Sequence, residues 1–185
     1  IAPIGWGLVL FSLIELCFAY AIPQTQAVDD SMTFNLSAYL RGRYYKINMS
    51  AVFDREIIFL SIVGLSIFWA ISQVMLAAYP AYAKEAMGIS NVIIIQGTMA
   101  CAGIGIMLGS ILAARISRSH IETGMIPIGS AGIAFCLLIL PVLDNEYLQA
   151  INFLAWGVFG GFLLIPLNAM MQFHAEEDEL GRILA

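Results

Sequence analysis

The chain has 185 residues, 61% hydrophobic and only 11% charged, whereas soluble globular domains carry roughly 25% charged residues. This composition excludes an ordinary soluble domain and points to the bilayer. The net charge of −5 comes from acids grouped in the tail HAEEDEL and in short loops, so there is no extended patch for nucleic acid and no nucleic-acid partner is expected.

Five apolar runs are long enough to cross a hydrocarbon core of about 30 Å: residues 4–22, 57–82, 91–114, 121–143 and 148–172. The first carries a small-x-small pattern at Ala19, Tyr20 and Ala21. It lacks the basic start of a signal peptide and is longer than a signal's apolar core, so it reads as a spanning helix. Glu15 is the one acid deep inside a span. An ionised carboxylate there is costly unless it is paired or hydrated. Glu15 is therefore either a functional group facing water or substrate, or a structural one that is protonated or hydrogen-bonded.

The link 23–56 begins polar, QTQAVDDS, and then turns basic and aromatic in YLRGRYYKINMS. That mix fits a segment lying at the headgroup level of an anionic leaflet, and equally a tether between two halves of a bundle. The spans that follow carry Gln73, Gln96, Asn152 and Asn168 as neutral amides. These either line a polar cavity or join helices by hydrogen bonds.

Gly105 and Gly109 form a GxxxG pattern in the third span, and Gly157 and Gly161 form another in the fifth. Such small residues let membrane helices approach closely. The stretch GIGIMLG echoes a nucleotide-binding loop but sits inside a span with no strand before it, so no dinucleotide site is read there. The fifth run, WGVFGGFLLIPLNAMMQ, gathers Gly157, Gly160, Gly161, Pro166 and Asn168, residues that helix interiors in water avoid.

Cys17, Cys101 and Cys136 lie in apolar runs without a CxxC pair and read as small buried hydrophobes. His120 and His174 have no nucleophile or carboxylate at catalytic spacing. In HAEEDE, Glu179 stands where an H-x4-D acyltransferase signature needs Asp. No enzyme site, metal site or cofactor is expected.

Loop charges set the topology. Arg41, Arg43, Lys46 and Arg55, then Arg115 and Arg118, then Arg182 fall in alternate loops, and only Lys84 falls in the others. The positive-inside rule then places 23–56, 115–120 and 173–185 in the cytoplasm.

The stretch GSILAARISRSHIETG, residues 109–124, resembles a degenerate copy of the G-x-L-A-D-R-x-G-R-K loop of the major facilitator superfamily. Gly109, Leu112, Ala113, Arg115 and Arg118 match, while Ala114 and Ser117 replace the expected Asp and Gly. Within that superfamily, IVGLSIFWAISQVMLAAYPAYAKEAMGI and WGVFGGFLLIPLNAMMQ are similar to the bacterial lysophospholipid transporters, some of them fused to an acyltransferase and an acyl-carrier-protein synthetase. The resemblance covers about residues 48–185.

The resemblance implies an all-α membrane protein, a piece of a twelve-helix transporter. Residues 1–22 would be the last helix of its first half and 23–56 the central cytoplasmic link. Residues 57–185 would hold spans seven to ten and the start of the eleventh. The implied activity is movement of lysophosphatidylethanolamine-like lipids across the bacterial inner membrane for reacylation inside. On this basis Glu15, Trp69, Gln73, Gln96 and Asn168 are candidates to face substrate. Gly109, Arg115, Arg118, Gly157, Gly160, Gly161 and Pro166 are candidates for conformational positions. Membrane lipids are expected partners, and an acyltransferase, fused or separate, is an alternative partner. The membrane part of such a fused enzyme, and a transporter of another small molecule, remain alternative functions.

Topology supplies a first test. A cysteine at Asp144, in the link 144–147, should react with a membrane-impermeant reagent from outside; reaction from the cytoplasmic face alone would overturn this orientation.

Overall fold

The computed structural model describes residues 2–21, 36–42, 49, 52–118 and 120–175. They fall in two units, Ile1–Phe34 and Asn35–Ala185. In the first, helix α1 (Ala2–Tyr20) stands where the span 4–22 is expected. In the second, the short α2 (Leu36–Leu40) precedes four long helices. These are α3 (Glu56–Glu85), α4 (Val92–Ile116), α5 (Met125–Ile139, prolonged by a 3-10 turn at Leu140–Val142) and α6 (Glu146–His174). No strand occurs among the described residues, and all four long helices have the length and apolarity to cross a membrane. Most of the link 23–56, expected to lie along the surface, and the tail 176–185, with its expected start of another helix, lie outside the described residues.

Local chemistry explains the helix boundaries. The Asn91 and Asn145 side chains accept hydrogen bonds from the N–H groups of Ile93 and Tyr147, at 2.9 and 2.8 Å. Each thereby satisfies a donor that a helix start leaves open. Helix α3 ends where Gly88 adopts φ +68° and Ile89 N–H donates back to the Ala83 carbonyl at 2.9 Å, the left-handed closure that glycine permits. The fourth expected span, 121–143, is a shorter α-helix than its apolar run. It starts at Met125 and gives way to the 3-10 turn at Pro141, which has no N–H to continue the α-helical pattern.

Helix α6 is central, and half of its apolar window is buried. It runs antiparallel to α3, with Arg55 beside His174 and Gly64 against Leu167. The rings of Tyr79 and Phe153 meet edge-on at 4.5 Å further along the same interface. It is antiparallel also to α5, where Gly129 lies under Leu163 and Gly132 takes the ring of Phe159.

Against α4, helix α6 runs parallel and backbone to backbone. A Cβ built on Gly105 would stand 2.9 Å from the Gly157 Cα, and one on Gly109 would stand 2.8 Å from the Val158 Cα. A Cβ on Gly157 would reach the Ile106 nitrogen at 2.8 Å, and one on Gly161 the Ser110 nitrogen at 2.5 Å. The obstacles are main chain, which cannot rotate aside. Both GxxxG patterns therefore form a single interface, one from each helix. Gly160 lies on another side of α6, where the Phe68 ring of α3 fills the space a side chain would take.

Gly103, two residues before Gly105 and so on the opposite side of α4, has nothing within 4 Å of its Cβ position. Gly103→Ala should leave stability equal or raised by up to about 1 kcal/mol through helix propensity. Gly105→Ala should cost about 1–3 kcal/mol by forcing the helices apart. Thermal unfolding of the full-length protein in detergent measures both, and equal melting temperatures for the two variants would refute the contact.

Candidate functional site

The amides of the spans divide into two groups. Asn152 is buried, and its Nδ2 donates to the Cys136 carbonyl of α5 at 3.0 Å. Gln149, fully buried, donates to the carbonyls of Leu140 and Leu143 at 2.9 and 2.8 Å. These are acceptors in and beside the 3-10 turn around Pro141, where the regular helix pattern has been lost. Asn152 therefore joins helices, and Gln149, which the sequence did not single out, does the same.

Asn168 is half-buried, and its Nδ2 donates to the Leu164 carbonyl of its own helix at 2.8 Å. The carbonyl freed by Pro166 belongs to Phe162, four residues earlier, so Asn168 does not compensate for it. Pro166 is buried, and α6 continues through it.

Gln73 and Gln96 are exposed, and Trp69 is 51% exposed. Trp69 and Gln73, four apart, share a face of α3. Gln73 lies nine residues, two and a half turns, beyond Gly64, so this face points away from the side that meets α6. Gln96 lies nine residues before Gly105 and likewise turns from the glycine seam of α4. Glu15 lies on α1, in the other unit. Arg115 and Arg118 are exposed near the end of α4.

Two of the concavities on the bundle differ sharply in their linings. One is a groove of about 500 Å³ between α3 and α5, floored by α6. Ile57, Ile67 and Ile71 form one wall and Ile126 and Ala134 the other, with Leu167 and Met170 beneath. Its two hydroxyls, Ser61 and Ser130, donate to the Ile57 and Ile126 carbonyls of their own helices, at 2.7 and 2.8 Å. The lining is therefore apolar in effect. The other concavity, of about 580 Å³, lies where α4 ends, α5 begins and α6 ends. It presents Ser117, Arg118, His120, Thr123 and His174 around Ile121, Phe173 and Met170. Met170 lines both spaces. His120 is bonded to Glu122, and Arg55 donates to the His174 carbonyl at 2.9 Å. Neither His120 nor His174 was a binding candidate on sequence grounds. Their only signal was a position near the basic loop ends.

Membrane-length helices joined at bare backbone, with polar side chains set on otherwise apolar surfaces, define a multi-pass membrane protein. The family model described as Major Facilitator Superfamily matches residues 2–185, and the chain belongs to that superfamily. The match begins further toward the N-terminus than the expected resemblance over 48–185. The chain is similar to the lysophospholipid transporter LplT of Escherichia coli O1:K1 / APEC, with 28% identity over 174 residues, covering 89% of this chain and 43% of that protein. LplT of Escherichia fergusonii has the same identity and coverage. LplT of Klebsiella pneumoniae subsp. pneumoniae is 31% identical over 117 residues, covering 60% of this chain and 28% of that protein. The chain thus spans less than half the length of these relatives. No solved structure matches it.

The division of the amides is testable by stability. Asn152→Leu should lower unfolding stability in detergent by about 1 kcal/mol, in the range measured for hydrogen bonds between membrane helices, while Gln96→Leu leaves it unchanged. Equal losses from both would abolish the distinction.

Proposed function

We propose that the full protein is a secondary transporter that moves lysophospholipids with lysophosphatidylethanolamine-like headgroups inward across the bacterial inner membrane. The observation that carries this proposal is the outward display of Trp69, Gln73 and Gln96 from spans whose neighbouring residues are apolar. Amides facing hydrocarbon without partners would cost several kcal/mol, so these faces meet water, substrate or protein. A translocation route lined in this way suits a ligand with a polar headgroup and one chain. Matches to proteins named lysophospholipid transporter support the substrate class.

Within this proposal Asn168 on α6 and Glu15 on α1 are each taken as a further polar contact for substrate, Glu15 attracting the amine of an ethanolamine headgroup. Gly109, Gly157, Gly160 and Gly161 form the closely packed seams on which helices shift. Pro166 is the bending point of α6, and Arg115 and Arg118 hold the cytoplasmic ends. An acyltransferase, fused or separate, would reacylate the product on the cytoplasmic side.

Uptake of lysophosphatidylethanolamine into vesicles holding the full-length protein tests the proposal. Glu15→Gln, Gln73→Leu and Asn168→Leu should each reduce uptake about 5- to 150-fold, the equivalent of one lost hydrogen bond of about 1–3 kcal/mol, with unchanged melting temperature. Wild-type uptake in all three would remove these residues from the route, and absence of uptake by the wild type would end the transport proposal.

A further inference from the structure

We propose that the groove between α3 and α5 and the polar concavity at its end form one binding site for a single-chain phospholipid, the acyl chain in the groove and the phosphate at Arg118 and the hydroxyls beside it. The inference rests on the lipid-transport proposal for its biological ligand, but the site stands on its own geometry. It is separate from the face that carries Trp69 and Gln73, so it is a holding place beside the translocation route.

Size argues for one chain. A cavity of about 150 Å³ holds a benzene ring of six carbons. By the same measure, the groove of about 500 Å³ has room for roughly a single long acyl chain and not for two. Chemistry argues for hydrocarbon, because both groove hydroxyls are occupied by carbonyls of their own helices.

The end beyond Met170 has the opposite character. It presents the Arg118 guanidinium and the hydroxyls of Ser117 and Thr123, together with the imidazoles of His120, bonded to Glu122, and of His174, whose Nδ1 is bonded to the Met170 carbonyl of its own helix at 2.9 Å. The Ser117 oxygen is buried without a hydrogen-bond partner. Arg55, whose guanidinium donates to the His174 carbonyl, stands at the same end, where His120 is bonded to the carboxylate of Glu122. Guanidinium and hydroxyl donors around a concave space suit a phosphate, which accepts from several directions at once. An amphiphile that leaves the groove toward Met170 places its headgroup among these donors.

Equilibrium binding of radiolabelled lysophosphatidylethanolamine to the full-length protein in detergent tests the site. Arg118→Gln should weaken binding about tenfold while leaving affinity for a monoacylglycerol of the same chain within about twofold. Ala134→Trp, which fills the groove from an exposed position, should weaken both ligands about tenfold. Arg118 is exposed, so its variant tests the site even if Ala134→Trp fails to fold, and Arg118→Lys should restore part of the loss.

Wild-type affinity in Arg118→Gln overturns the proposal. Equal competition by a two-chain phosphatidylethanolamine would assign the groove to bulk bilayer lipid and overturn it as well. Displacement of the lysolipid by inorganic phosphate, with Ala134→Trp binding normally, would show a free-phosphate site and overturn the acyl assignment. Lysolipid binding with these sensitivities in a protein that shows no vesicle uptake would uphold the site and reject transport.

Discussion

The contact between α4 and α6 at Gly105, Gly109, Gly157 and Gly161 is the constraint on which the rest of the second unit depends. In a bilayer there is no hydrophobic expulsion to press helices together, so association rests on packing and hydrogen bonds. Four positions without side chains let two main chains touch along the interface. That contact sets the separation and register of the two parallel helices. The aromatic cluster of Phe68, Tyr79, Phe153 and Trp156 then meets in edge-on and tilted pairs.

With α6 held against α4, its other sides serve as docking faces. Phe68 of α3 enters the space left by Gly160, and Phe159 of α6 enters the space left by Gly132 of α5. Gln149 and Asn152 bind the carbonyls where α5 winds into its 3-10 turn. These bonds tie the C-terminal end of α5 to the N-terminal end of α6, and α3 and α5 diverge on either side of α6 to leave the apolar groove. The groove is thus a consequence of glycine packing: one helix sits deep, and its neighbours arrange themselves around it.

Two kinds of surface result, and they suit different parts of an amphiphile. The face with Trp69 and Gln73 offers isolated polar groups on an apolar wall. The groove offers hydrocarbon along its length and cationic and hydroxyl donors at its end. On the transport proposed above, the headgroup would use the first surface and the tail the second.

The sequence by itself determined the membrane class, the positions of the four long spans and the close-packing glycines. Each of these is written in consecutive residues, as run length or a four-residue spacing. It anticipated the fourth span at 121–143 but not its shortening to Met125–Ile139, which depended on how the backbone resolves Pro141. Gln73, Gln96, Asn152 and Asn168 looked alike as amides in apolar runs. Only the tertiary structure separated Asn152, which reaches a carbonyl on a neighbouring helix, from Gln73 and Gln96, which face outward. The groove and its polar end were likewise invisible in one dimension. Their residues come from α3, α5 and α6, and from the junction of α4 with α5. Helices apolar on every side carry no stripe to show which face turns inward, so the direction each side chain takes was decided only when α6 settled onto the glycines of α4.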